Sequence, residues 1–223
     1  MSLPTQYDVR LRKIEKSWRQ SKDEFQTNGN LEELAVEVQD LANSCRLLLD
    51  RFMNEVWERY SAPNANRPNV YFPKRASEEG LSDHLKKLHL GDLKDKAPEI
   101  FAQILDAQPA ENKSWLQNLF ELSATKHQSD PELSKETRAF TAIGQGQNSL
   151  YIERLEVNEG KISHLSGHST RADGTIEPIR ISHGTEDIPS LTDSGEKAFQ
   201  VCDEILLNTR RFLSVAFMKI KKR

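Results

Sequence analysis

A chain of 223 residues with 31 basic and 34 acidic side chains carries a formal net charge of −3 and can bury a sizeable core without covalent staples. The charge is −2 over each of residues 1–60, 61–134 and 135–190 and +3 over 191–223, so only the C-terminal tail offers the concentrated basic face of a nucleic-acid binder and nucleic acid is not the expected partner. Two cysteines are too few for a disulfide framework, no run approaches the ~18 apolar residues of a membrane helix, and the opening residues lack a signal-peptide core, so a soluble, cytoplasmic protein without membrane contact is expected.

In chain order, Tyr7, Leu11, Ile14, Trp18 and Phe25 form a seam at helical spacing, and Asn28-Gly29-Asn30 ends it. Residues 31–60 then run without Gly or Pro, with Leu34, Val38, Leu41, Cys45, Leu48, Phe52 and Val56 among the positions on one broad face. This spacing predicts one helix from Leu31 to Tyr60, antiparallel to the first. Asn30 with Glu33 has the capping-box arrangement, in which each side chain answers the other's free backbone donor.

A loop rich in Pro and Asn leads to Val70-Tyr71-Phe72-Pro73, an extended segment expected to lie across the bundle. Short helices are predicted over 81–90, with Leu81, Leu85 and Leu88 inward and His84 and Lys87 nearer the solvent, over 97–107, and over 112–127. Beyond Pro131 the runs 138–142, 150–157, 161–166 and 176–182 are short and partly alternating. Asn158-Glu159-Gly160 and Asp173-Gly174 separate them as hairpin turns, and Pro178 places the last run at a sheet edge. From Leu191 a final helix is expected, capped by Thr192 or Asp193, with a stripe through Phe199, Cys202, Ile205, Leu213 and Phe217. Cys45 and Cys202 fall within apolar stripes and read as core residues.

The fold class is therefore α+β: a helical bundle from 1–130 and 190–223, with a small antiparallel sheet inserted over 135–189 before the C-terminal helix, all in a single domain over 1–223. The wide apolar stripes of the first, second and last helices also predict self-association through the helical face, that is, a homodimer.

The residues that invite a chemical reading are few. Arg46 and Asp50 sit four apart on the long helix. They read either as an intrahelical ion pair or as a polar anchor in which Arg46 holds a carboxylate or carbonyl from the region around Lys126 and His127. Lys126-His127 ends a helix, where cations complement the dipole and where His127 is the candidate acid or base. His164, His168 and His183 lack ligand spacing, since residues four apart on a strand stand about 13 Å from each other. No metal and no cofactor are expected. Ile143-Gly144-Gln145-Gly146-Gln147 precedes a strand and reads as a connection rather than a phosphate cradle.

Taken together, LANSCRLLLDRF, VYFPKR and ILDAQPAENKSWLQNLFELSATKHQ resemble a widespread set of uncharacterised bacterial proteins. Their pattern is Leu-Arg-x-x-Leu-Asp, Phe-Pro, Gln-Pro and a Leu-rich helix ending in Asp-Lys-His-Arg. The matching positions are Arg46, Leu49 and Asp50, Phe72 and Pro73, Gln108 and Pro109, and Lys126 and His127, over roughly residues 31 to 130. The sequence departs from the pattern with Cys45 for Leu, Thr125 for Asp and Gln128 for Arg. The resemblance implies shared architecture and a convergence of Arg46, Asp50, Lys126 and His127.

More distantly the chain resembles HEPN domains, helical bundles of prokaryotic toxin and defence systems that often dimerise and cut RNA. Their signature, an Arg followed after four to six residues by His on one helix, does not occur. Arg180 and His183 are too close and lie in the predicted sheet. These resemblances imply a non-catalytic binding or regulatory module, associated with toxin or defence systems. The alternative is an HEPN-like RNA-cleaving or other hydrolytic enzyme using His127 with Lys126 and Arg46. A third reading is an interaction protein whose basic C-terminus meets an acidic protein partner.

Overall fold

A computed structural model describes residues 3–109, 114–123, 130–144, 149–158 and 161–220, the side chains at 161, 183 and 184 excepted. The fold is α+β, dominated by helices, with strands preceding the C-terminal helix. Contacts divide the chain into two compact units, Met1–Lys135 with Pro189–Arg223, and Glu136–Ile188.

In the first unit, α1 (Thr5–Asn28) and α2 (Leu31–Tyr60) are joined at Gly29, whose left-handed φ of 64° ends α1 while its N–H bonds the Phe25 carbonyl. Tyr7 donates to Glu55 and Ser21 to Glu37, so the two helices run antiparallel. The α2 cap differs from the reciprocal one expected. Asn30 Oδ1 accepts from the Glu32 and Glu33 N–H groups, but the Asn30 N–H goes to Asn28 Oδ1, and Asn28 Nδ2 in turn holds Glu33. The preceding turn has thus taken over the half of the box that Glu33 was expected to supply.

α3 (Glu78–Lys87), α4 (Leu93–Lys96), α5 (Pro98–Asp106) and α6 (Trp115–Leu122) follow. α7 (Ala198–Ile220) packs against α1, α2, α5 and α6. Aromatic rings tie the helices together: Phe52 meets Phe212 and Phe217 edge-on at 5.2 and 5.6 Å, and Tyr7 lies 4.6 Å from Phe217. Trp18 Nε1 and Lys22 both bond Asp203, and Arg210 reaches Glu15 and Asp8, so α7 is pinned along α1 by charge as well as by packing.

One expectation is revised here. α7 begins at Ala198 and is not capped by Thr192 or Asp193. Thr192 N–H bonds the Glu132 carbonyl, and the turn through Gly195, which returns its N–H to Leu191, intervenes before the helix. The apolar stripes of α1, α2 and α7 also bury one another: Leu11, Val38, Leu48, Phe52, Val56, Leu213 and Phe217 are all nearly inaccessible. On the same three helices Val9, Val36, Leu47 and Leu207 stay exposed.

The strands are β1 (Leu133–Ile143), β2 (Ser149–Asn158), β3 (Lys161–Thr170), β4 (Ile176–Pro178) and β5 (Ile181–Leu191). They form two sheets, β1-β5 and β2-β3-β4, rather than one. The predicted run 176–182 is split, because Ile176–Pro178 joins β3 antiparallel while the chain from Ile181 turns to β1. Pro178 does sit on an edge strand. The Asp173-Gly174 turn is held by Asp173 Oδ1 accepting the Thr175 N–H and by Gly174 N–H bonding the Arg171 carbonyl. The Asn158-Glu159-Gly160 turn falls largely outside the described residues.

Candidate functional site

The extended segment Val70–Arg75 exposes backbone donors and acceptors that belong to no sheet, and buried groups of this kind need partners. Side chains provide them. Asn54 Nδ2 donates to its own helix at the Asp50 carbonyl, 2.8 Å away, and to the Val70 carbonyl at 3.1 Å. Asp50 Oδ1 accepts the Phe72 N–H at 2.7 Å. Gln108, at the end of α5, accepts the Arg75 N–H at 2.8 Å and donates back to the Ile104 carbonyl at 2.9 Å. Between these pegs the Phe72 ring, only 2% exposed, meets Phe212 edge-on at 5.1 Å.

Arg46 lies one turn before Asp50 but does not pair with it. Its Nη1 donates to the Ser123 carbonyl and hydroxyl at 3.4 and 3.3 Å, and its guanidinium stands 4.7 Å over the Phe120 ring. The expected intrahelical ion pair is replaced because each partner has a backbone group to satisfy in a different segment. At half-buried positions such bonds stabilise more than a solvated pair. Arg46 still acts on Asp50 through its field. Burial raises the Asp50 carboxyl above its ordinary range, while the Phe72 N–H and the Arg46 charge oppose the rise.

Lys74 shares the Phe120 ring with Arg46, 6.0 Å from its centre, and lies 4.0 Å from Glu121. Arg75 donates to His84 Nδ1 at 2.7 Å, so the proton of the neutral ring is on Nε2, which has no partner among the described residues. His84 was expected near the solvent. It is instead half-buried, and burial, with the Arg75 and Lys87 charges, lowers its pKa.

Of the four residues expected to converge, the structure places Arg46 against Ser123, three positions before Lys126 in sequence, and Asp50 against the Phe72 backbone. Lys126 and His127 lie outside the described residues. Asn54 was missed by sequence reasoning. The available signal was its position on α2 one turn after Asp50, facing an extended segment with no strand to bond. Gln108, read from the sequence as closing the 97–107 helix and as part of the resemblance, takes a physical role from its geometry.

Among the described residues no three His, Cys, Asp or Glu side chains converge on a metal-binding geometry. His164 and His168 stand on β3 opposite Glu156 and Tyr151, whose ring lies 5.1 Å from that of His168. Cys45 and Cys202 are both free and fully buried, and burial pushes the Cys45 thiol up to about 12. No helix among the described residues is long and apolar enough to cross a membrane.

The largest departure from ordinary surface chemistry is in the second unit. Of thirteen exposed large hydrophobic side chains among the described residues, eight fall between Glu136 and Ile188. Scattered single apolar side chains are normal on a surface, but a cluster marks a contact region.

Comparison with protein-family models, curated proteins and solved structures finds no match. The roles assigned to Arg46, Asp50, Asn54 and Gln108 therefore rest on the geometry above.

Proposed function

We propose that this chain is a non-catalytic, protein-binding module, with the helical unit as scaffold and the strand-bearing unit as the contact surface. The observation that carries this reading is the concentration of exposed apolar side chains in that unit, including Tyr151, Val157 and Ile176 at 58, 60 and 68% exposure. The engagement of Arg46 and Asp50 supports it as well. Both candidate catalytic side chains answer backbone groups of other segments, which assigns them to holding the extended segment and α6 in place. A net charge of −3 with basic excess confined to residues 191–223 favours a protein partner over nucleic acid. A place in bacterial toxin or defence systems follows from the resemblance to HEPN bundles and belongs to the same proposal.

The test is RNA cleavage by purified protein and a His127→Ala variant, alongside thermal unfolding of an Arg46→Ala variant. The expected result is no cleavage by either protein and a lowered unfolding temperature for Arg46→Ala. Cleavage abolished by His127→Ala without loss of stability would establish the hydrolytic alternative.

A further inference from the structure

In the second unit the β2-β3 register separates the sheet into two chemically different faces. The pairs Leu150↔Ser169, Ile152↔Gly167, Leu155↔Leu165 and Val157↔Ile162 line one face, and Tyr151↔His168, Arg154↔Ser166 and Glu156↔His164 line the other. A bulge at Glu153 carries the apolar row across, because the partners of Ile152 and Leu155 are two apart on β3 and so point the same way. Leu150, Ile152, Leu155 and Val157 are 42, 43, 45 and 60% exposed.

Among the described residues, the cover over this face lies at one end. Any side chain on Gly167, whose φ is 143°, would meet Ile179, and one on Gly144 would meet Leu150, so these two segments close over the Leu150 end. The Leu155–Val157 end stays open. Sheets bury an apolar face against a second layer, and three strands alone are marginal without one.

We propose that the second layer is the same face of a second copy of this chain, packed sheet on sheet about a twofold axis. The inference rests on the protein-binding reading and names its partner. The argument for a second copy is electrostatic and geometric. None of the eight positions on the β2-β3 face carries a charge, so a twofold brings no like charges together and offers nothing to select an oppositely charged partner. Glu177, on β4 opposite Ser169, is already held by Arg171 at 2.7 Å and Arg180 at 3.3 Å. The row from Leu150 to Val157 is about 24 Å long. With the Leu150 end partly covered, two such faces pressed together bury less than about 1,000 Å², the size of a weak, concentration-dependent contact. Edge-to-edge pairing through β2 is opposed by the bulge at Glu153, which interrupts its outer edge.

The test is sedimentation equilibrium of the full chain across micromolar concentrations. The wild type is expected to approach twice its 25.5 kDa chain mass. Leu155→Lys should weaken the dimer by roughly a hundredfold or more, since each change acts in both copies. His164→Lys, on the opposite face across from Glu156, should leave the mass unchanged. Val157→Thr keeps strand preference and guards against a misfolded Lys variant. It should weaken the dimer by roughly tenfold. A wild-type mass near 25.5 kDa at every concentration, or a dimer indifferent to Leu155→Lys and Val157→Thr, overturns the proposal. Either result leaves the binding reading standing, because that reading fails on cleavage activity instead.

Discussion

Asp50 and Phe72, 22 residues apart in sequence, are joined by one hydrogen bond of 2.7 Å in which a half-buried carboxylate accepts a backbone N–H. This bond fixes where the extended segment crosses the long helix, and it sets the Phe72 ring against Phe212. Asp50→Ala leaves the N–H without its partner and should destabilise the fold by about 1–3 kcal/mol. Asp50→Asn keeps an acceptor while removing a buried charge and should stay within about 1 kcal/mol of wild type. Urea unfolding of the two variants separates them, and equal losses would mean that the charge, not the acceptor, matters.

The same carboxylate gives a pH signature. Burial raises its pKa in the folded chain above the ordinary 3.8, so the folded state holds the proton more tightly than the unfolded state. Its contribution is therefore most favourable below 3.8 and declines as pH rises through the raised folded value. Relative to wild type, Asp50→Asn should gain stability across that window and hold the gain above it. Unfolding free energies of both proteins on either side of the window provide the check.

His84 slopes the other way. Its folded pKa is lowered below the ordinary 6.5 by burial and by the Arg75 and Lys87 charges. The stability it contributes is present above 6.5 and is lost as pH falls toward the folded value, because charging the ring breaks the bond from Arg75 to Nδ1. His84→Gln should flatten the fall in unfolding temperature between pH 7.5 and pH 5.5, two settings about one unit to either side of an ordinary histidine. An unchanged slope would assign the pH dependence to other groups.

Phe212 touches both Phe52 and Phe72 edge-on. Phe212→Ala opens a cavity where α2, α7 and the extended segment meet, and should cost about 3–5 kcal/mol. Calorimetry should show one transition for the helical unit, shifted down. A loss below about 1 kcal/mol would mean the site collapses around the deletion.

Neither cysteine should react in the folded state. Cys45 and Cys202 are fully buried, and the Cys45 thiol is pushed up to about 12, so thiolate is scarce at neutral pH. A thiol-exchange reagent should titrate both cysteines in denaturant and neither in buffer.

The helices were legible because their signals are local. The 31–60 helix has its observed bounds in the spacing of its apolar residues, the lack of Gly and Pro, and Asn30. β5 was read only as far as residue 182, since 183–190 contains Gly184, Pro189 and three consecutive polar residues from Thr185 to Asp187. Its strand conformation comes from pairing with β1, and a pairing partner 50 residues away, as Thr137 is from Asp187, leaves no periodicity to read. The site was legible to the same degree. Arg46 as a holder of a distant carbonyl follows from an Arg beside an apolar stripe, but the Asp50, Asn54 and Gln108 contacts depend on where an extended segment comes to rest, which no spacing records.

Thr192 N–H and the Glu132 carbonyl lie 3.0 Å apart, and Ser190 bridges Lys197 beside them. The polypeptide thus leaves the helical unit and returns to it at a single clasp. Closing a loop costs free energy only as the logarithm of its length, about 0.6 kcal/mol for each doubling, so the helices are nearly indifferent to how many residues the clasp encloses. The strand-bearing unit is in this respect a cassette. By this arithmetic it can lengthen or shorten while the helical framework keeps its packing.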